Sequence, residues 1–170
     1  MAARDYPMLL MLKNLLFTVL VPGTVFGWGP YWVLTAGGRS MPRTGGWQLV
    51  PAALIGVLGL AIYGWCLWDF AIVGRATPFP LDPPRQLVVR GLYRYVRNPM
   101  YIGVFSVILG WAIAFRSLAV AEYAVAVAVA FHIVVLAVEE PFLRTKFGTA
   151  YAEYCRHVPR WLPGRAWPAT

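Results

Sequence analysis

The stretch PMYIGVFSVILGWAIAF (99–115), RS (116–117) and LAVAEYAVAVAVAFHIVVLAV (118–138) decides the fold. Two apolar runs are separated by Arg116 and Ser117 alone, which leaves almost no room for a loop, so the pair reads as a tight helical hairpin. A bilayer core of about 30 Å needs about 20 apolar residues in a helix; the run after Ser117 meets that length and the run before Arg116 is short. Working outward, two further runs come close. Leu9 to Leu34 carries Pro22, Gly23, Gly27, Gly29 and Pro30 and is expected to be kinked or broken. Trp47 to Val73 is the longest, and its Gly56, Gly59 and Gly64 offer close backbone approach to a neighbouring helix.

Composition points the same way. Of 170 residues 59% are hydrophobic and 13% charged, against roughly half and a quarter in soluble domains. A soluble fold of this length has too little interior for so many apolar side chains, and a disordered chain shows the opposite bias. Eight Trp, nine Tyr and nine Phe suit the membrane interface. The expected fold is therefore an all-α integral membrane protein with about four transmembrane helices, a C-terminal helical hairpin and a cytoplasmic amphipathic tail helix. Residues 1–73 form a two-span anchor and residues 74–170 carry the chemistry. The first run is long and lacks a clear small-residue cleavage site, so it is expected to stay as an anchor rather than leave as a signal peptide.

The net charge of +8 lies between apolar runs rather than on one amphipathic face, so no nucleic-acid partner is expected. Lys and Arg in short loops stay preferentially in the cytoplasm. Arg75, Arg85, Arg90, Arg94 and Arg97 lie between spans two and three, Arg144, Lys146, Arg156, Arg160 and Arg165 follow span four, and Arg4 and Lys13 sit at the N-terminal end. Only Arg39, Arg43 and Arg116 fall on the opposite side. Twelve against three predicts a multi-pass protein with both termini and the 74–98 segment cytoplasmic, which in a bacterium means the plasma (inner) membrane. Cys66 and Cys155 have no CxxC spacing, and one is in an apolar run while the other is in a basic tail, so both read as packing residues and no metal is expected.

Four features exceed a plain anchor. Asn98 is a favoured N-cap and Pro99 suits the first helical position, and the free N–H groups and dipole of that helix entrance make an anion site; the alternative is a simple cap with the arginines meeting lipid head groups. Glu139 and Glu140 repel each other at the helix end where cations are preferred, so they need a partner. It is either structural, from Arg94, Arg97 or Arg144, or a ligand offering hydroxyl or ammonium donors. Because spans three and four form a hairpin, the Asn98 cap and this pair meet at its cytoplasmic mouth. Leu143, Phe147, Tyr151 and Tyr154 share one stripe of a basic amphipathic helix that lies in the interface plane and can roof a site, with residues 158–163 closing the lid. Asp69 and His132 are intramembrane polar residues, the first expected to pair with an arginine and the second to pack with a hydrogen bond.

The ordered set Gly91-Leu92-Tyr93, Arg97-Asn98-Pro99-Met100-Tyr101, Glu139-Glu140, Phe147-Gly148, Tyr151 with Tyr154, and Val158-Pro159-Arg160 resembles the isoprenylcysteine carboxyl methyltransferase-like family, over about residues 74–164. Related phospholipid N-methyltransferases carry a similar ending. The resemblance implies a membrane enzyme that binds S-adenosylmethionine in a cytoplasm-facing pocket made by the last two spans and the tail. By that resemblance the cofactor contacts are Arg85, Gln86, Leu87 and Val88, Tyr93, Asn98, Pro99, Met100 and Tyr101, Glu139 and, from the phospholipid relatives, Glu140. Two positions depart from the family: its usual His before the proline is Asn98, and its substrate-binding arginine one turn before the glutamate is Val135. The implied acceptor is a lipophilic small molecule or lipidated substrate entering from the membrane lipids. A sulfonium methyl is already activated, so the protein need only align the acceptor and exclude water, and no metal or covalent nucleophile is required. Sterol reductases that use NADPH have a similar C-terminal ending but are usually much longer, and a non-enzymatic membrane scaffold is the third reading.

Overall fold

The computed structural model describes residues 15–16, 18–36, 41–42, 44–71 and 86–168. Among these the secondary structure is helical throughout, with no strand. A π-helical turn, Thr24–Trp28, leads into α1, Gly29–Thr35. Next come α2, Leu49–Asp69, and a 3-10 turn, Gly91–Arg94. They are followed by α3, Pro99–Phe115, and α4, Leu118–Val134. A second π-helical turn, Val135–Glu139, joins α4 to α5, Glu140–His157.

Glycines set the α2–α3 contact. A Cβ on Gly59 would stand 2.6 Å from the Gly103 carbonyl oxygen, and one on Gly103 would stand 2.8 Å from that of Gly59. Seven residues along α3, a Cβ on Gly110 would meet the Ala52 carbonyl oxygen at 3.0 Å and the Gly56 Cα at 3.3 Å. The numbers rise on one helix as they fall on the other, so the two run antiparallel in backbone contact. Gly56 and Gly59 therefore lie on this seam as expected, while Gly64 faces open space.

The hairpin closes as its spacing predicts. Arg116 takes the left-handed conformation (φ 48°, ψ 41°) that ends α3, and the Ser117 hydroxyl caps α4 by accepting from the Val120 N–H at 3.3 Å. A non-glycine residue there costs roughly 1–2 kcal/mol, and the Arg116 guanidinium is fixed by donating to Gln48 Oε1 at 2.8 Å. At the opposite end of the bundle the same antiparallel order brings together the C-terminal end of α2, the start of α3 and the end of α4.

Among the described residues two helices are long and apolar enough to cross a bilayer, Leu49–Asp69 and the 40-residue Leu118–His157, and their apolar windows are only 22% buried. The core helix of a soluble protein would hide such residues, yet Leu54 is 67% exposed, Val125 61% and Ile133 58%. Lipid is the solvent that suits these faces: this is a membrane protein. Forty helical residues extend about 60 Å, twice a bilayer core, so the apolar run to Val138 alone fits the span and α5 lies beyond it. α5 thus continues α4 through the π turn Val135–Glu139 instead of starting afresh. Gly148 (φ 53°, ψ −124°) then breaks α5 into two pieces.

The interruption expected in the first run is the turn Thr24–Trp28, just after Pro22; residues 9–14 lie outside the described residues. The Tyr123 hydroxyl donates to the Val25 carbonyl at 2.8 Å, supplying a bond to this turn from α4. Gly29 lies against the same hydroxyl, where a Cβ would collide with it. Leu34, Tyr63, Val104, Ile108, Val120 and Ala124 form the core between α1, α2, α3 and α4.

Candidate functional site

At the shared end of the bundle is a cavity of about 550 Å³, within the range of small-molecule sites. The start of α3 supplies Asn98, Met100, Tyr101 and Val104, and the α4–α5 junction supplies Phe131, Val134, Val135, Val138, Glu139 and Glu140. The segment before α3 adds Leu87, Val88, Tyr93 and Arg97, and α5 adds Phe142, Leu143, Tyr151 and Tyr154. The cavity therefore joins the Asn-Pro helix entrance to the tandem glutamates, as the hairpin requires.

The two glutamates take different partners. Glu140 is buried and receives the Arg160 guanidinium in a two-pronged contact, Nε to Oε1 at 2.6 Å and Nη2 to Oε2 at 3.1 Å. Arg97 Nη1 lies 3.1 Å from Oε1 and Arg144 Nη2 3.9 Å from Oε2. Burial alone would push this carboxyl up, but the Arg160 hydrogen bond and the charges of Arg97, Arg160 and Arg144 outweigh it and hold Glu140 below the ordinary glutamate range. Glu139, one residue earlier, accepts from the Tyr101 hydroxyl. The pair is thus divided in its partners: Glu140 is bound by arginines, and Glu139 lines the cavity beside a phenol. Arg94, a third candidate partner, instead donates to the Trp167 carbonyl at 2.8 Å.

Asn98 sits at the N-cap position of α3 but makes no side-chain cap bond there. Its amide donates instead to the Arg160 carbonyl at 3.1 Å, so the expected Asn98 cap is corrected: the tail competes successfully for this side chain. The tail is held along the segment before α3, where Pro159 accepts from the Arg97 N–H at 2.9 Å, Tyr95 from the Gly164 N–H at 2.9 Å and Arg94 from the Trp167 N–H at 2.8 Å. Tyr154 donates to the Tyr93 carbonyl at 2.7 Å, so the stripe of α5 turns inward over the cavity. Tyr151 and Tyr154 are buried.

Of the residues implied by resemblance, Leu87, Val88, Tyr93, Asn98, Met100, Tyr101, Glu139 and Glu140 line the cavity. Gln86 and Pro99 are not among its lining residues: Gln86 is exposed, and the Pro99 ring is fully buried in the first turn of α3. Arg85 lies outside the described residues. Asp69 pairs with Arg90 at 3.7 Å, beneath Gly91, whose φ of +54° and contact with the carboxylate leave no room for a side chain. His132 accepts from the Trp161 indole at 3.0 Å.

Several lining residues escape sequence reasoning. Val21, Pro22 and Val25 come from the first run, and Tyr63 and Phe70 from the second. Pro22-Gly23 signals a break, but not that the broken turn borders a cavity. Both π-helical turns contribute to the lining, through Val25 and through Val135, Val138 and Glu139; such turns are frequent at functional sites.

Residues 47–150, more than half of the chain, match the model of one protein family, described as phospholipid methyltransferase. No curated protein and no solved structure gives a significant match.

Proposed function

We propose, for a chain that belongs to the phospholipid methyltransferase family and so to the membrane methyltransferases, that S-adenosylmethionine is the methyl donor and that a lipophilic molecule dissolved in the bilayer is the acceptor. The observation that carries this reading is the cavity bounded jointly by the α3 entrance, by Glu139 and by apolar side chains of α4 and the first run. The residues present fit such a donor. Glu139 has acceptor capacity for hydroxyl or ammonium groups, the start of α3 offers N–H groups to a carboxylate, and Tyr93, Leu87, Val88 and Met100 provide surface for a flat heterocycle. When bound, the donor supplies a methyl group already activated on a sulfonium.

The chain's own residues then bind, orient and exclude water. Tyr101 donates to the Glu139 carboxylate and is itself held against Phe131, the two rings tilted at 37° with centroids 4.4 Å apart. Glu140 acts behind it, gathering Arg97 and Arg160 so that the roof formed by α5 and residues 158–167 stays down. Val21, Pro22, Val25, Phe131 and Val134 form an apolar flank suited to a hydrocarbon chain. The arginine distribution supports a cytoplasmic location for this end of the bundle, where a soluble donor and a greasy acceptor meet.

The test is transfer of labelled methyl from S-adenosylmethionine into a lipid extract by the purified protein, with mass spectrometry of the labelled species. Label in a lipid fraction is expected. Absence of transfer together with tight NADPH binding would replace the reading with a reductase.

A further inference from the structure

We propose that Arg160 is a positioning residue that holds the two walls of the donor site at one spacing, an inference that rests on the methyl-transfer reading above. Arg160 lies beyond the matched residues 47–150 and does not itself line the cavity. Its two ends nevertheless reach lining residues of different helices. The guanidinium grips both oxygens of Glu140 at the start of α5, and the backbone carbonyl accepts from the Asn98 amide at the start of α3. Its neighbours lock it in place: Pro159 accepts from the Arg97 N–H at 2.9 Å, and the Trp161 indole donates to His132 on α4 at 3.0 Å.

The Asn98 bond has a second effect. An asparagine at an N-cap ordinarily covers the first-turn N–H groups of its own helix. Here the side chain is engaged by Arg160 and makes no such bond, and Pro99 has no N–H to offer. The Met100 and Tyr101 positions, both on the cavity, are left without that cap. Arg160 thereby keeps the helix entrance open to a ligand while it fixes the opposite wall. Lysine cannot substitute in this role, because only the planar guanidinium meets both carboxylate oxygens at once.

Arg97 and Arg144 also neutralise Glu140, so a change at Arg160 does not strand a buried charge. The effect falls on geometry. The experiment is calorimetric titration of S-adenosylhomocysteine into the full-length protein in detergent micelles, for wild type, Arg160→Lys and Arg160→Gln, with the thermal midpoint of each. We expect Arg160→Lys to weaken binding about tenfold at unchanged stoichiometry, and Arg160→Gln at least as much, the size of losing one charge-assisted contact. A residue serving the fold alone would reduce the binding-competent fraction, and so the stoichiometry, while leaving the Kd of the remainder untouched. A Kd for Arg160→Lys within twofold of wild type overturns the proposal, whatever Arg160→Gln does to folding. If wild type itself shows no binding, the methyl-transfer reading fails first and this inference falls with it, so the two failures are distinct.

Discussion

The Tyr101 hydroxyl donates to the Glu139 carboxylate, joining the first turn of α3 to the π-helical turn after α4. The bond spans the mouth of the hairpin and lies on the cavity wall. It decides which way the carboxylate that is not gripped by arginines faces. Tyr101→Phe keeps the ring packed against Phe131 and removes only the bond. A single intramolecular hydrogen bond contributes about 0.5–1.5 kcal/mol, so the expected loss in affinity for S-adenosylhomocysteine is roughly 2–13-fold, with a thermal midpoint lowered by no more than about 6 °C. Calorimetry beside thermal unfolding checks both.

The glycine seam between α2 and α3 predicts a contrast within one helix. Gly59→Ala places a methyl 2.6 Å from the Gly103 carbonyl oxygen, and overpacking of this kind costs about 1–3 kcal/mol. Gly64→Ala, with nothing within 4 Å of its new methyl, is expected to be neutral or to stabilise by several tenths of a kcal/mol, up to about 1. Thermal unfolding in one detergent separates the pair, and equal midpoints would contradict the seam.

Glu140 predicts the acid limit of the roof. Its folded-state carboxyl is held below the ordinary range, burial being outweighed by Arg160, Arg97 and Arg144. A depressed folded value means that the group stabilises fully above the unfolded value of about 4.3 and that this contribution fades as pH falls through the lower folded value. The midpoint difference between wild type and Glu140→Gln should therefore be constant from about pH 7 to pH 5 and narrow only below about pH 4. A difference that vanishes near pH 6 would show that the ion pairs do not stabilise the fold.

Gly91 predicts a local failure near the site. Its φ of +54° is unfavourable for any other residue, and a Cβ would press on the Asp69 carboxylate. Gly91→Ala should lower stability by at least about 1–2 kcal/mol and displace the buried ring of Tyr93, two residues on. Chemical denaturation together with ligand titration measures the two effects.

The hairpin is legible in the sequence because Arg116-Ser117 permits only one connection, and the meeting of Asn98 with Glu139 and Glu140 at its mouth follows from that geometry. The seam is half legible. Gly56, Gly59 and Gly64 advertise close approach, but which of them touch depends on the rotation of α2 about its axis, and that is set by Gly103 and Gly110 on α3. The tandem glutamates announce that partners are needed without saying which goes where; the arrangement of Arg97, Arg144 and Arg160 around Glu140 is long-range. Asn98 looks like a cap by residue type and becomes a tail anchor because Arg160 offers its carbonyl. The π turn Val135–Glu139 contains neither Pro nor Gly, and no local signal marks it.

The central claim is that the α3 entrance and Glu139 border one donor site. Ultraviolet cross-linking of methyl-labelled S-adenosylmethionine to the membrane-embedded protein, followed by peptide mapping, tests it most directly. The account predicts label in peptides spanning residues 87–101 or 139–154, lost on addition of excess S-adenosylhomocysteine. Label confined to other segments, or insensitive to that competitor, would contradict it.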